Sequence, residues 1–365
     1  MGNQPIRVLC VFSRLDRGGA ESMCMNLYRN IDRKKVQFDF VKHTPLTGAF
    51  EKEILALGGR IYEAPKYMIC NHLLYRGWWI KHLSAHPEHQ IIHGHFFTIS
   101  PVYFEAAHTF GRITIGHSHS TEQQPNGLKA WLKKKIESHT EKYSDYCLAC
   151  SQDAGKWLFS HKRFTVLNNA IDAEKFQYSP AARAEVREGL GLDGHFVVGT
   201  VGSLREVKNP FGTIEIFKAV HNKLPGAKLL WIGGGGLEQS IRNKLEEEQL
   251  TDAVIMTGVR PDVDRLLQAM DVFILPSLSE GLPVVLIEAQ AAGLPCFVSK
   301  AVTTEAAITD LCAFLPLDQP ELWAEKIVGA DISVRRDTSE QIKAAGYDIH
   351  MTAKWLQAFY IDCLK

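Results

Sequence analysis

Short apolar runs alternate along this chain with longer stretches in which apolar side chains recur every three or four positions. The runs "IRVLCVF", "QFDFV", "QIIHGH", "RITIG", "YCLAC" and "FTVLNNAID" read as strands. Between them, "AESMCMNLYRNI", "SPVYFEAAHTF" and "LKAWLKKKIESHTEKY" carry helical period. This is the rhythm of a parallel sheet covered by helices. Around residues 173–195 it breaks in "AEKFQYSPAARAEVREGLGLDGH", a stretch with charge, Pro180 and several glycines, and a domain boundary is expected there. The alternation then restarts with "FVVGTVG", "AKLLWIG", "AVIMTG", "DVFILPS" and "PCFVSK" as strands. "PFGTIEIFKAVHNKL", "LEQSIRNKLEEEQL", "VDRLLQAM" and "PVVLIEAQAAG" alternate with them as helices.

Two successive doubly wound α/β units result, 1–178 and 179–346, with a last helix over about 347–364. The length of 365 residues, roughly twice that of a common domain, agrees. In such sheets ligands bind outside the carboxyl ends of the strands, so chemistry is expected in the loops that follow strands.

Composition adds little by itself: 45% hydrophobic and 22% charged residues with zero net charge describe an ordinary globular protein. The zero conceals an asymmetry. Residues 1–180 carry 23 Lys and Arg against 16 Asp and Glu, and the remainder 18 against 25, so the halves are +7 and −7. A basic half can face an anionic partner. "LKAWLKKKIESHTEKY", at 128–143, sets Trp131, Leu132 and Ile136 among Lys129 and Lys133–Lys135, the look of a helix that makes reversible contact with an anionic membrane. No apolar run approaches the ~20 residues that span a bilayer, and "MGNQPIRVLCVF" lacks a basic leader, so a cytoplasmic protein is expected. The eight cysteines sit mostly in apolar runs, as buried thiols do, and Cys147 and Cys150 of "CLAC" would point to opposite faces of a strand.

Several segments carry candidate chemistry. In "SLSEGLPVVLIEAQAAGLP", Glu280 lies in a loop after a strand, Pro283 suits a first helical turn, and Glu288 falls one turn into the helix. Two carboxylates so placed can accept hydrogen bonds from vicinal hydroxyls, while the N–H groups of Gly281 and Leu282 offer an anion site between them. "VGSLREVKN" supplies Arg205 and Lys208 where a departing diphosphate would develop charge. In "GGAE", Gly18 and Gly19 permit close backbone approach ahead of a helix from Ala20. "GGGG" at 233–236 does not match Gly-x-Gly-x-x-Gly, because position 238 is Glu. Asp262 and Asp264 of "DVD" read as acids favoured at a helix start, so no metal is expected. The pairs "HGH" at 93–95 and "HSH" at 117–119 each end a strand-like run and could place two imidazoles on one face. On their own they would suit a metal-dependent hydrolase, given a further ligand or an acid from another strand end.

"EGLPVVLIEA" resembles the Glu-x7-Glu motif of retaining family 4 glycosyltransferases of GT-B fold, and the resemblance runs in order over nearly the whole chain. It includes "GGAE" at 18–21, "SDYCLACS" at 144–151, "VLNNAID" at 166–172, "VGSLREVKN" at 201–209, "WIGGGG" at 231–236 and "MTGVRPDV" at 256–263. The flavour is similar to bacterial exopolysaccharide and capsule enzymes. The resemblance implies two Rossmann-like domains facing a central cleft, the first for the acceptor and the second for the donor, with the last helix crossing back to the first. It implies transfer of a sugar, with retention, from a nucleoside diphosphate sugar, UDP-linked by family habit, to a glycan or lipid-linked glycan. Neither a cofactor beyond that co-substrate nor nucleic acid is implied. A non-catalytic sugar-nucleotide binder on the same fold is the other alternative.

Carried onto this sequence, the resemblance has Glu288 holding ribose hydroxyls, Glu280 the donor sugar and Lys208 the phosphates. The family's usual arginine position is Ser203 here, and the nearest arginine is Arg205. Gly18 and Gly19 approach the diphosphate; Gly233 lies beside the nucleotide, with Gly258, Val259 and Arg260 backing the base. Ser277, Gly281, Leu282 and Pro283 complete the donor site. One active-site histidine is implied at the end of "ITIGHSHST": His117, directly at the strand end, is preferred, with His119 the alternative alignment, while the first pair reads as loop histidines. Apart from the resemblance, Glu21 and His95 are candidates to face the acceptor.

Overall fold

The computed structural model describes residues 4–95, 99–119 and 139–365. The chain divides into two compact units, Met1–Ala170 with Ile349–Lys365, and Ile171–Asp348.

In the first unit the apolar runs form parallel strands β1 (Ile6–Val11), β2 (Val36–Lys42), β3 (Ile61–Glu63), β4 (His89–Gly94), β5 (Ile113–Ser118), β6 (Tyr146–Ala149) and β7 (Thr165–Val166). Their order is β3-β2-β1-β4-β5-β6-β7. The order reverses between β1 and β4, which makes the carboxyl ends of those two strands the switch point of the sheet. β4 and β5 pair with His93 opposite Ile115 and Gly94 opposite Gly116, so the two His-x-His pairs run side by side.

The second unit repeats the plan with β8 (Val197–Val201), β9 (Lys228–Ile232), β10 (Val254–Gly258), β11 (Val272–Leu275), β12 (Cys296–Ser299) and β13 (Cys312–Leu315), all parallel, in the order β10-β9-β8-β11-β12-β13. Here the switch point falls between β8 and β11. Val, Ile and Leu bury both faces of the sheet, as strands under two helical layers require.

The units part at 170/171, ahead of the 178/179 that composition suggests. Ile171, Ala173 and Phe176 pack into the second unit's core, and Ile171 N–H donates to Tyr347 O at 2.9 Å. Polar composition marked the stretch as a linker while three spaced apolar side chains bound it. The last helix, Ile349–Cys363, buries Ile349, Ala353, Leu356 and Tyr360 in the first unit's core. A helix at His72–Ala85 has no clear sequence signature, because Tyr75, Trp79 and Leu83 are buried while Leu73 and Leu74 are exposed, so apolar residues occupy both faces. Cys147 and Cys150 are both buried.

Among the described residues no helix is long and apolar enough to cross a membrane. Most of the basic stretch 128–143 lies outside the described residues.

Candidate functional site

The switch point of the second sheet explains why residues far apart in sequence meet. Strands β8 and β11 are neighbours, so the loops at their carboxyl ends emerge side by side, one carrying Lys208 and the other Glu280. The Lys208 ammonium donates to Glu280 Oε1, and Ser277 Oγ donates to the same oxygen at 2.7 Å. Leu278 N–H donates to Val207 O at 2.8 Å, and the Glu280 backbone bridges in parallel to Val302, so both loops are pinned. The side chains of Lys208 and Glu280 are only 22% and 12% exposed, which strengthens their attraction relative to a surface pair. Ser203, Lys208 and Ser277 line one small cavity of about 10 Å³ with Gly202, Thr213 and Trp231. Arg205 is exposed and donates its Nε–H to Ser203 Oγ at 3.0 Å, so the arginine that follows Ser203 folds back onto that serine.

Glycine lets three strand-end loops close on one another. Gly202 N–H donates to Ile232 O (2.9 Å), Leu204 N–H to Gly234 O (3.0 Å) and Gly233 N–H to Gly258 O (2.9 Å). Gly233 has φ of 140°, and a Cβ there would lie 1.9 Å from Gly202 O, so no other residue fits. Beyond β10, Val259 is 62% exposed, and Arg260 forks onto Asp262 at 2.8 and 2.6 Å. Asp262 precedes the Val263–Ala269 helix without capping it, and Asp264, in its first turn, pairs with Lys175 at 3.2 Å.

Glu288 lies within the Val284–Ala291 helix, and burial pushes its carboxyl up to about 7 against the pull of Lys175. Lys175 was missed by sequence reasoning, because it sits in the stretch taken for linker. Pro283 stands at the capping position with ψ of 98°, rather than inside the first turn, because its extended backbone turns the chain from the loop into the helix. Leu282 is a core side chain, and Gly281 beside it is half-buried.

In the first unit, Gly18 caps the Gly19–Asn30 helix, one residue earlier than expected. A Cβ on Gly18 would lie 2.2 Å from Glu21 Oε2, whereas Gly19 faces open space. Burial raises the Glu21 carboxyl above its usual range.

The two His-x-His pairs combine into one cluster. His93 Nδ1 lies 2.6 Å from Tyr360 OH, His93 Nε2 lies 3.2 Å from His117 Nδ1, and His95 Nδ1 lies 2.8 Å from His119 Nε2. The His95 ring also stacks on Phe12, with centroids 4.4 Å apart. Burial holds His93 and His119 down at about 3, and His95 and His117 well below their usual value, so all four rings are neutral near pH 7. His95 Nε2, His117 Nε2 and His119 Nδ1 have no hydrogen-bond partner among the described residues. His119 is half-buried, whereas the other three are fully buried.

Two sets of potential metal ligands occur among the described residues, His93–His95–His117 and Cys10–Cys24–His95. No carboxylate joins either set, and both are buried. A metal-dependent hydrolase needs an open coordination position for water. The histidines instead bond and stack on one another, so the arrangement disfavours the hydrolase reading.

Two doubly wound parallel-sheet domains of this kind, with a loop-borne Lys–Glu pair at the second switch point, define a GT-B protein. Residues 17–175 match the family described as Glycosyltransferase Family 4, and residues 182–328 match Glycosyl transferases group 1. EpsF of Bacillus subtilis (strain 168), provisionally assigned as a glycosyltransferase, is 33% identical over 364 residues, 95% of this chain and 94% of that protein. An Escherichia coli UDP-Gal:alpha-D-GlcNAc-diphosphoundecaprenol alpha-1,3-galactosyltransferase is 37% identical over 144 residues, 38% of this chain and 37% of its own. The crystal structure of Anabaena HepE with UDP and glucose superposes with a TM-score of 0.80 at 17% identity, covering 98% of this chain and 100% of that one. The chain belongs to the family 4 glycosyltransferases of GT-B fold.

Proposed function

We propose that the second unit binds a nucleoside diphosphate sugar, UDP-linked, and that its hexosyl or N-acetylhexosaminyl group passes with retention to a glycan or lipid-linked glycan held by the first unit. The process served is cell-surface polysaccharide assembly, capsule or exopolysaccharide, at the inner face of the membrane. The observation that carries this reading is the meeting of Lys208, Ser277 and Glu280 at the β8/β11 switch point. The E. coli relative's UDP-linked donor and diphosphoundecaprenol-linked acceptor, and the UDP and glucose bound by HepE, support the ligand classes.

In this reading Lys208 exchanges Glu280 for the donor's phosphates, and Glu280 turns to the sugar hydroxyls. Glu288 takes the ribose hydroxyls, and the exposed Val259 backs the base. The leaving diphosphate, steadied by Lys208 with Arg205, accepts the proton of the incoming hydroxyl on the face from which it departs. These cations supply the charge stabilisation without a metal, and no cofactor takes part. His119, half-buried at the edge of the imidazole cluster, is the histidine that meets substrate, with His117 behind it. Contact with anionic membrane runs through 128–143; nucleic acid is not a partner.

A panel of nucleotide sugars, assayed for nucleotide release and sugar transfer, tests the reading. With the best donor, Glu280→Ala loses at least about tenfold in kcat, about 1.4 kcal/mol. An unchanged turnover would remove Glu280 from the site. Turnover persists in EDTA; loss in chelator with recovery on Mn²⁺ would refute metal-free transfer.

A further inference from the structure

The short helix Ala173–Phe176 stands at the start of the second unit, in the stretch whose composition reads as a linker. A helix of four residues has no stability of its own, so its place is set by its neighbours. Asp172 caps it, Oδ1 accepting from Lys175 N–H at 3.2 Å. Ala173 and Phe176 are buried in the second unit's core. The buried Gln268 side chain ties the helix to Val263–Ala269, its Nε2 donating to Phe176 O at 3.1 Å and to Asp264 O at 3.0 Å.

These contacts position Lys175. Its ammonium lies 3.2 Å from Asp264 Oδ1, in the first turn of Val263–Ala269, and the same short helix packs against Val284–Ala291, which carries Glu288. Lys175 thus serves two carboxylates on different helices, Asp264 by contact and Glu288 through its field.

Glu288 depends on such a cation. No described residue donates a hydrogen bond to its carboxyl, and burial favours the neutral form. Other charged groups on the elements packed around its helix are engaged elsewhere or face solvent: Glu174 pairs with Lys343 at 2.9 Å, Glu340 lies 3.6 Å from the same ammonium, and Glu305 is exposed. Lys175 and Asp264 are the charges that act on Glu288, and they act in opposite senses, the ammonium favouring the carboxylate and Asp264 the acid. The Asp264 side chain is 15% exposed and that of Lys175 55%, so solvent screens the cation and its effect is modest.

We propose that Lys175 is a positioning residue for the donor: it holds the Glu288 carboxyl in the ionised form that accepts the hydroxyls of the nucleotide's ribose, and Asp264 sets how much of its charge reaches Glu288. The proposal rests on the reading of Glu288 as the ribose-binding acid. The sign of its effect is fixed. Without the ammonium, Glu288 keeps its proton to higher pH, so nucleotide binding weakens at low pH and recovers once the pH is high enough to ionise the acid unaided. Without the Asp264 charge, the ammonium acts on Glu288 alone and binding strengthens at low pH.

Calorimetric titration of the full chain with UDP from pH 6 to 9 tests this, each variant compared with wild type at the same pH so that the nucleotide's own titration cancels. Lys175→Ala should bind about two- to threefold more weakly at pH 6, the size expected of a half-exposed charge, and equally at pH 9. Asp264→Asn should bind about twofold more tightly at pH 6 and equally at pH 9. Lys175→Arg, which keeps the charge, should restore the wild-type profile. In a Glu288→Gln background Lys175→Ala should have no effect, because the group it acts on no longer ionises. A deficit of one size at every pH, or one that survives in the Glu288→Gln background, would mean that Lys175 acts through the fold or on the nucleotide itself, and overturns the proposal. A wild-type profile in Lys175→Ala while Glu288→Gln binds weakly also overturns it, and leaves the ribose role of Glu288 standing. If Glu288→Gln binds UDP as wild type does, or UDP binds at no pH, the donor reading has failed and this proposal falls with it.

Discussion

Glu288 shows how one buried carboxyl gives the candidate donor site a pH response. Its ordinary value of 4.5 is pushed up to about 7 by burial, so below neutrality it holds a proton. If Glu288 takes ribose hydroxyls as proposed, their donation to the carboxylate favours the charged form, and donor binding expels the proton. The sign follows: affinity rises with pH up to about 7, by at most about tenfold per unit, and levels off above it. Glu288→Gln, which cannot ionise, should show a flat profile and weaker binding at pH 8. Calorimetry in buffers of different ionisation enthalpy reads the released proton directly, and a flat wild-type affinity from pH 6 to 8 would remove the ribose role. Glu280 and Glu288 stand out in the sequence as candidates because a motif of fixed spacing marks them, and Lys208 through the separate segment "VGSLREVKN". Lys175 does not, since nothing local in "DAEKF" signals an ammonium acting on a helix more than a hundred positions away.

At the level of elements, the alternation of apolar runs and helical stretches was enough to anticipate parallel sheets, yet strand order was not readable from it. Order is what brings Lys208 to Glu280, because adjacency of β8 and β11 arises from the reversal in the middle of the sheet. The glycine run at 233–236 does not match Gly-x-Gly-x-x-Gly, and sequence alone does not tell which of its glycines the backbone requires. Geometry does. Gly233 needs a positive φ and would drive a Cβ into Gly202 O, whereas Gly236 has nothing within 4 Å. Gly233→Ala should cost about 1–3 kcal/mol from backbone strain, and more if the β8 loop moves. Gly236→Ala should change stability by about 0.5 kcal/mol or less. Urea unfolding of the two variants compares them, and equal midpoints would show that the loop closure has been misread.

For the molecule as a whole, the two units share a plan and differ in what acid does to them. The first unit contains the groups that resist protonation: burial holds His43 near 4, His82, His93 and His119 near 3, and His95 and His117 lower than usual. An unfolded chain binds protons on these rings below about pH 6.5, while the folded unit does not. A depressed folded value therefore means stability intact above about 6.5 and lost progressively as pH falls towards 4 and 3. At pH 5 a ring that stays neutral costs about 2 kcal/mol, an appreciable share of the 5–15 kcal/mol of a typical domain. Glu288, in the second unit, has the opposite sign, since its raised value makes that unit gain as pH falls from about 7 towards 4.5. The first unit should consequently open first on acidification. Hydrogen exchange with mass spectrometry, corrected for intrinsic rates, should show peptides covering β4 and β5 losing protection between pH 7 and 5, while those covering β8 and β11 hold theirs. Loss in step across both units, or protection of the histidine strands unchanged at pH 5, would mean that the imidazole cluster takes up protons in place and does not govern the unit's acid stability.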